Sequence, residues 1–210
     1  MTREGLLLVV SGPSGVGKGT LIRLLEARHP ELLRSVSCTT RGPREGEVDG
    51  RDYHFISVEE FHGMVRAGEF LEWAHVHGDL CYGTPRQPVE EAVAAGKDII
   101  LEIDYQGARS VRAQLGGRAA LVFVGPPSWE DLRKRLVGRD TEDDAAVQRR
   151  LRTARHEIAH MDLFQYVIVN QNLEAAVIEL EGVLLAERCR LGRCGWSALR
   201  DALLGEADTT

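Results

Sequence analysis

Residues 12–18 read Gly-Pro-Ser-Gly-Val-Gly-Lys, an apolar run precedes them and another apolar run follows. The spacing G-x-x-x-x-G-K is that of a loop that cradles phosphate. Glycines at 12, 15 and 17 free the backbone to turn successive N–H groups into one concavity. A helix beginning near residue 18 would add the positive end of its dipole. Lys18 can then reach the outer phosphates of a nucleoside triphosphate. Gly12, Pro13, Ser14, Gly15, Val16, Gly17, Lys18, Gly19 and Thr20 are the candidate triphosphate residues. Gly19 stands where Ser or Thr usually meets Mg²⁺, so the ion is expected to be held mainly by nucleotide and water rather than by a direct protein ligand.

A second chemistry lies further on. Arg41 and Arg44 are three apart, with Tyr53 following. Two guanidinium forks and a phenol suit the dianion of a monophosphate. Glu72 lies beyond, with Tyr82 and Thr84. A carboxylate accepts from both N1–H and N2–H₂ of guanine, a donor pair that adenine lacks. Glu72 would therefore discriminate between the purines, with the Thr84 hydroxyl near O6.

These residues need a frame. Apolar runs at 5–10, 97–104, 119–127 and 166–170 read as buried strands. Helical patterns fall at 20–29, 57–70, 128–136, 141–161 and 173–191. Ser57 with Glu60, Ser128 with Asp131 and Thr141 with Asp144 have capping-box spacing. Strands alternating with helices imply an α/β fold with a parallel sheet covered on both faces. Residues 37–84 break the rhythm and read as an inserted lobe of short strands plus one helix. The last residues, 189–210, read as a tail that ends in a short helix.

Composition narrows the partners. With 210 residues and 43% hydrophobic content, the chain suits a single domain. No apolar run approaches the ~20 residues of a membrane span, and the start lacks a secretory leader, so a cytoplasmic protein is expected. The net charge of −6 argues against nucleic acid. Residues 131–155 nevertheless hold eight basic and five acidic side chains, which suits a small anion. The expected oligomeric state is monomer or homodimer.

In order, SGPSGVGKGT, SVSCTTRGPREGEVDGRDYHF, EFLEWA, YGT and LEIDYQGA resemble the motifs of guanylate kinases, and the likeness covers nearly residues 5–185. It implies a P-loop NTPase-type core (1–36, 85–138 and 156–188), a GMP-binding lobe (37–84) and a small lid (139–155). It implies the reaction ATP + GMP ⇌ ADP + GDP with Mg²⁺, with dGMP expected as a second acceptor. By position it assigns Ser37, Arg41, Arg44, Tyr53, Glu72, Tyr82, Gly83, Thr84, Glu102 and Asp104 to GMP. Lys18, Arg44, Arg139 and Arg150 would carry charge in the transfer step. Asn170 and Gln171 stand where the family places an Asn-Asp pair at adenine.

Three other readings compete. His156-Glu157-Ile-Ala-His160 has the zinc-protease spacing, with Glu174 or Glu179 as the loose third ligand. Cys189 and Cys194 form a C-x4-C pair without a second pair to complete a zinc site. Scaffold domains that resemble guanylate kinases bind phosphopeptides without catalysis, but generally with damaged phosphate loops; this loop keeps its glycines and Lys18.

Overall fold

The computed structural model describes residues 3–76, 80–137, 144–191, 193 and 196–207. Arg139, Thr141 and Cys194, named among the expectations above, lie outside the described residues.

Five strands form the parallel core sheet: β1 (Leu7–Ser11), β2 (Leu33–Arg34), β7 (Ile99–Glu102), β8 (Ala119–Gly125) and β9 (Tyr166–Val169). Their order is β2-β7-β1-β8-β9. Leu8 of β1 pairs with Ile100 of β7 on one side and Ala120 of β8 on the other. The strand direction is common to all, so the strand ends carrying Ser11 and Glu102 open on one edge. The chain leaves β1 toward β2 and β7 on one flank and reaches β8 and β9 on the other. Ligands bind at such a reversal in open α/β sheets.

The period of two divides the core. Leu6, Leu8 and Val10 face one layer with Leu21, Ile22, Leu25, Leu180 and Leu184. These come from α1 (Lys18–Arg28) and α7 (Leu173–Arg188). Leu7 and Val9 face the other layer with Val89, Ala92, Ala108, Val111 and Phe123. That layer is covered by α3 (Arg86–Ala94) and α4 (Tyr105–Leu115). β1 is therefore buried on both faces, as its unbroken apolar run requires.

A second sheet holds β3 (Cys38–Thr39), β4 (His54–Phe55), β5 (Phe70–His75) and β6 (Cys81–Pro85), in the order β4-β3-β6-β5. Helix α2 (Val58–Ala67) covers it through Phe61, which packs with Cys38, Phe70 and Cys81. The Ser57 hydroxyl accepts from the Glu60 amide at 3.1 Å, and the Ser128 hydroxyl accepts from the Asp131 amide at 3.0 Å, so two of the three expected caps are made. Helices α5 (Trp129–Val137) and α6 (Asp144–Ala159) pack through Leu132, Leu136, Leu151 and Ala154. Helix α8 (Trp196–Ala207) ends the described chain. Among the described residues no helix is long and apolar enough to cross a membrane.

Candidate active site

The loop between β1 and α1 is shaped by three glycines at positive φ: Gly12 at 141°, Gly15 at 83° and Gly17 at 99°. Only glycine takes such angles without strain. Gly17 is the N-cap of α1, with no side-chain cap and no acidic residue in the first turn. The helix thus keeps its N-terminal N–H groups for an external anion. A Cβ at Gly12 would collide with the Val124 carbonyl, so the loop lies hard against β8.

Lys18 donates to the carbonyls of Gly12 at 2.5 Å and Pro13 at 3.2 Å. Burial lowers its pKa; Glu102, Glu157 and Asp104 oppose that shift. Val16 is fully buried in the core, so it serves the loop through its backbone. Its carbonyl accepts from Asn170 Nδ2 at 2.8 Å and from Arg135 at 3.3 Å. Arg135 also donates to the Asn170 carbonyl at 3.0 Å. Asn170 is thereby braced against the back of the loop, and Gln171 beside it is exposed. Arg150 of α6 donates to the Ser14 hydroxyl at 2.9 Å, bringing that expected arginine onto the loop.

A cleft of about 460 Å³ runs from this loop to the second sheet. Lys18, Gly19 and Thr20 line one end; Ser37, Arg44, Tyr53, Glu72 and Tyr82 line the other; Glu102 and Asp104 stand between. Glu72 is 5% exposed and accepts from Thr84 Oγ1 at 2.6 Å. Burial pushes its carboxyl up to about 7, the Thr84 bond opposes this, and Asp104 adds to it. Thr84 spends its one hydroxyl proton on Glu72, so it acts through that carboxylate.

Arg41 is held differently from Arg44. Its guanidinium makes two bonds of 2.9 Å to Glu47, and its Nε donates to the Tyr82 hydroxyl at 3.2 Å. Glu47 also accepts from the Arg44 amide at 2.7 Å. One carboxylate therefore folds the arginine loop around itself. Gly83 is explained by packing: a Cβ there would stand 2.8 Å from the Phe70 ring. Asp104 caps α4 by accepting from the Gly107 amide at 2.9 Å, and Glu102 pairs with Arg34 at 2.8 Å.

Sequence reasoning missed Arg23 and Glu157 in this cleft. Arg23 sits five residues after Lys18 on α1 and donates to Thr20 at 3.2 Å; helical spacing was the signal. Glu157 is 7% exposed; burial pushes its carboxyl up to about 7, Lys18 opposes this and Asp104 adds to it. It is the acid of the zinc-protease pattern, and the fold turns it toward the phosphate loop. His156 instead meets the Tyr105 hydroxyl at 2.7 Å, and His160 Nδ1 lies 2.7 Å from the His156 carbonyl. Among the described residues no cluster of three or more His, Cys, Asp or Glu is arranged to hold a metal. The zinc reading loses its third ligand.

A family model described as guanylate kinase matches residues 4–187. The chain belongs to the guanylate kinase family. A guanylate kinase of Symbiobacterium thermophilum is 53% identical over 99% of this chain and 97% of its own. One of Nocardia farcinica is 52% identical over 90% of this chain and 98% of its own. A crystal structure of the guanylate kinase from Anaplasma phagocytophilum superposes with a TM-score of 0.76 at 35% identity, covering 91% and 90% of the two chains. The guanylate kinase motifs quoted from the sequence thus surround one cleft.

Proposed function

We infer that the chain transfers the γ-phosphoryl group of ATP to GMP, giving ADP and GDP. The observation that carries this is one shared cleft, with a phosphate loop at one end and the buried Glu72 carboxylate at the other. ATP phosphates occupy the loop nest, where Lys18 exchanges the Gly12 and Pro13 carbonyls for phosphate oxygens. Arg44, Tyr53, Tyr82 and Ser37 grip the monophosphate. Arg41 reaches it directly only by releasing Glu47; otherwise it orients Tyr82. Glu72, ionised, accepts from the guanine edge, and Thr84 fixes its plane.

Phosphoryl transfer asks the protein for in-line placement and for positive charge around the moving group. Lys18, Arg44, Arg150 and, outside the described residues, Arg139 supply the charge. Glu102 and Asp104 are oxygen donors between the two ends, a set that fits Mg²⁺ held through water rather than in a protein cage. Such an ion, when bound, neutralises charge on the ATP phosphates. Asn170, which braces Val16, and the exposed Gln171 beside it are the groups assigned to adenine. The lobe of 37–84 closes on GMP and the lid of 139–155 closes on ATP, excluding water that would otherwise accept the phosphoryl group.

The test is ADP release with GMP, dGMP, AMP, CMP and UMP as acceptors. GMP is expected to lead, dGMP to follow because none of the assigned contacts needs a 2′-hydroxyl, and the others to be poor. Turnover of AMP without turnover of GMP overturns the reading.

A further inference from the structure

Helix α4 carries a glycine that its backbone does not need. Gly107 lies in the first turn of α4, is buried, and is not among the glycines with positive φ. Alanine would favour the helix there, because glycine loses more chain freedom on folding. The reason for glycine must then be space. A Cβ at 107 would collide with Glu72 Oε2, stand 2.9 Å from Glu72 Cδ and 3.2 Å from Ile103 Cδ1.

A flexible carboxylate could swing away from such a collision, but this one is held on its other side. Glu72 is 5% exposed, and its Oε1 accepts from Thr84 Oγ1 at 2.6 Å. Thr84 is itself fully buried. The Gly107 amide is spent on Asp104, so α4 meets Glu72 as a bare Cα surface rather than as a hydrogen-bond donor. The carboxylate thus stands between a hydroxyl that orients it and a helix wall that stops it.

We propose that Gly107 is a specificity-positioning residue, whose missing side chain lets α4 seat the Glu72 carboxylate where it reads the guanine edge. This rests on the role given to Glu72 above. Any side chain at 107 moves Glu72 off the Thr84 hydroxyl or into the space of the base. The consequence falls on acceptor recognition and leaves the phosphate loop untouched.

The experiment compares Gly107→Ala, Glu72→Gln, Glu72→Ala and the double variant Gly107→Ala with Glu72→Ala. Steady-state kinetics and melting temperature are read for each. For Gly107→Ala the expected result is a KM for GMP raised at least tenfold, a KM for ATP within twofold, and a GMP-over-AMP preference reduced at least tenfold. Its melting temperature falls in the native background. In the Glu72→Ala background the same alanine costs far less melting temperature, because the carboxylate collision is gone and only the 3.2 Å approach to Ile103 remains. An unchanged KM for GMP overturns the inference, as does an equal loss for both substrates. A melting penalty that persists undiminished without the Glu72 side chain overturns it too, and this reading is available even if Gly107→Ala alone fails to fold. If Glu72→Gln keeps full guanine preference, the role of Glu72 fails and the inference with it. If Glu72→Gln loses that preference and Gly107→Ala keeps it, the inference alone fails.

Discussion

Glu72 should make GMP recognition depend on pH. Its carboxyl is pushed up to about 7 by burial, against 4.5 for the free side chain. Only the ionised form accepts from both guanine donors. At pH 8 nearly all free enzyme is competent; at pH 6 about one molecule in eleven is, so KM for GMP rises about tenfold. KM for ATP should not follow. The monophosphate itself titrates near pH 6 and adds about twofold. The Glu72→Gln variant keeps that twofold and loses the rest, so the ratio of the two profiles isolates the side chain. Stability carries the opposite sign. An acid whose pKa rises on folding costs nothing below its unfolded pKa; the cost grows from pH 4.5 to about 7 and is complete above that. The shift corresponds to about 3 kcal/mol. Glu72→Gln should therefore gain on the native chain as pH rises through that window, while binding GMP less well. ADP-release kinetics between pH 5.5 and 8.5 and urea unfolding at the same pH values read both effects. A KM for GMP that is flat from pH 8.5 to 6, or that rises equally in Glu72→Gln, refutes the reasoning.

Replacing Lys18 by Met removes the one ammonium in the loop and should lower kcat about 10²–10³-fold, with folding intact by circular dichroism. Arg150→Ala should lower kcat by a similar order with a smaller change in KM for GMP, because Arg150 meets the loop at Ser14; a GMP-specific defect would contradict its placement. Asn170→Ala leaves the Val16 carbonyl with the longer Arg135 bond alone and should cost about 1–2 kcal/mol in urea unfolding, raising KM for ATP more than for GMP. Glu157→Gln removes a second buried acid of raised pKa, so its stability gain should appear only as pH rises from 4.5 toward 7, by up to about 3 kcal/mol in the same unfolding assay.

Much of the fold was legible because its core strands are unbroken apolar runs and α2 and α5 begin with the caps read from the sequence. β7, β8 and β9 fall inside three of the four runs read from the sequence, and β1 overlaps the first and extends one residue past it, to Ser11. The edge strand β2 did not, since Leu33 and Arg34 are both exposed and make only a two-residue ladder with β7. Helices α3 and α4 were also passed over. Both have short apolar stripes, and α4 contains Gly107, which weakens any helical signal while serving Glu72. The phosphate loop was legible because its glycines are contiguous. Thr84, Glu47 and Glu157 were not legible in their actual roles. Their partners lie 12 residues away in Glu72, six away in Arg41, and across the cleft in Lys18. Residue types disclose that charges will pair, but the pleat of β5 and β6 and the landing of α6 decide which ones do.

The most direct test is calorimetric titration with adenosine and guanosine joined 5′ to 5′ through five phosphates. If the loop nest and the guanine carboxylate share one cleft, one molecule spans both ends of one chain, and the linkage makes it bind at least 10²-fold tighter than ATP or GMP alone. Glu72→Gln should remove most of that advantage. Affinity no better than ATP alone, or two molecules bound per chain, would contradict the arrangement.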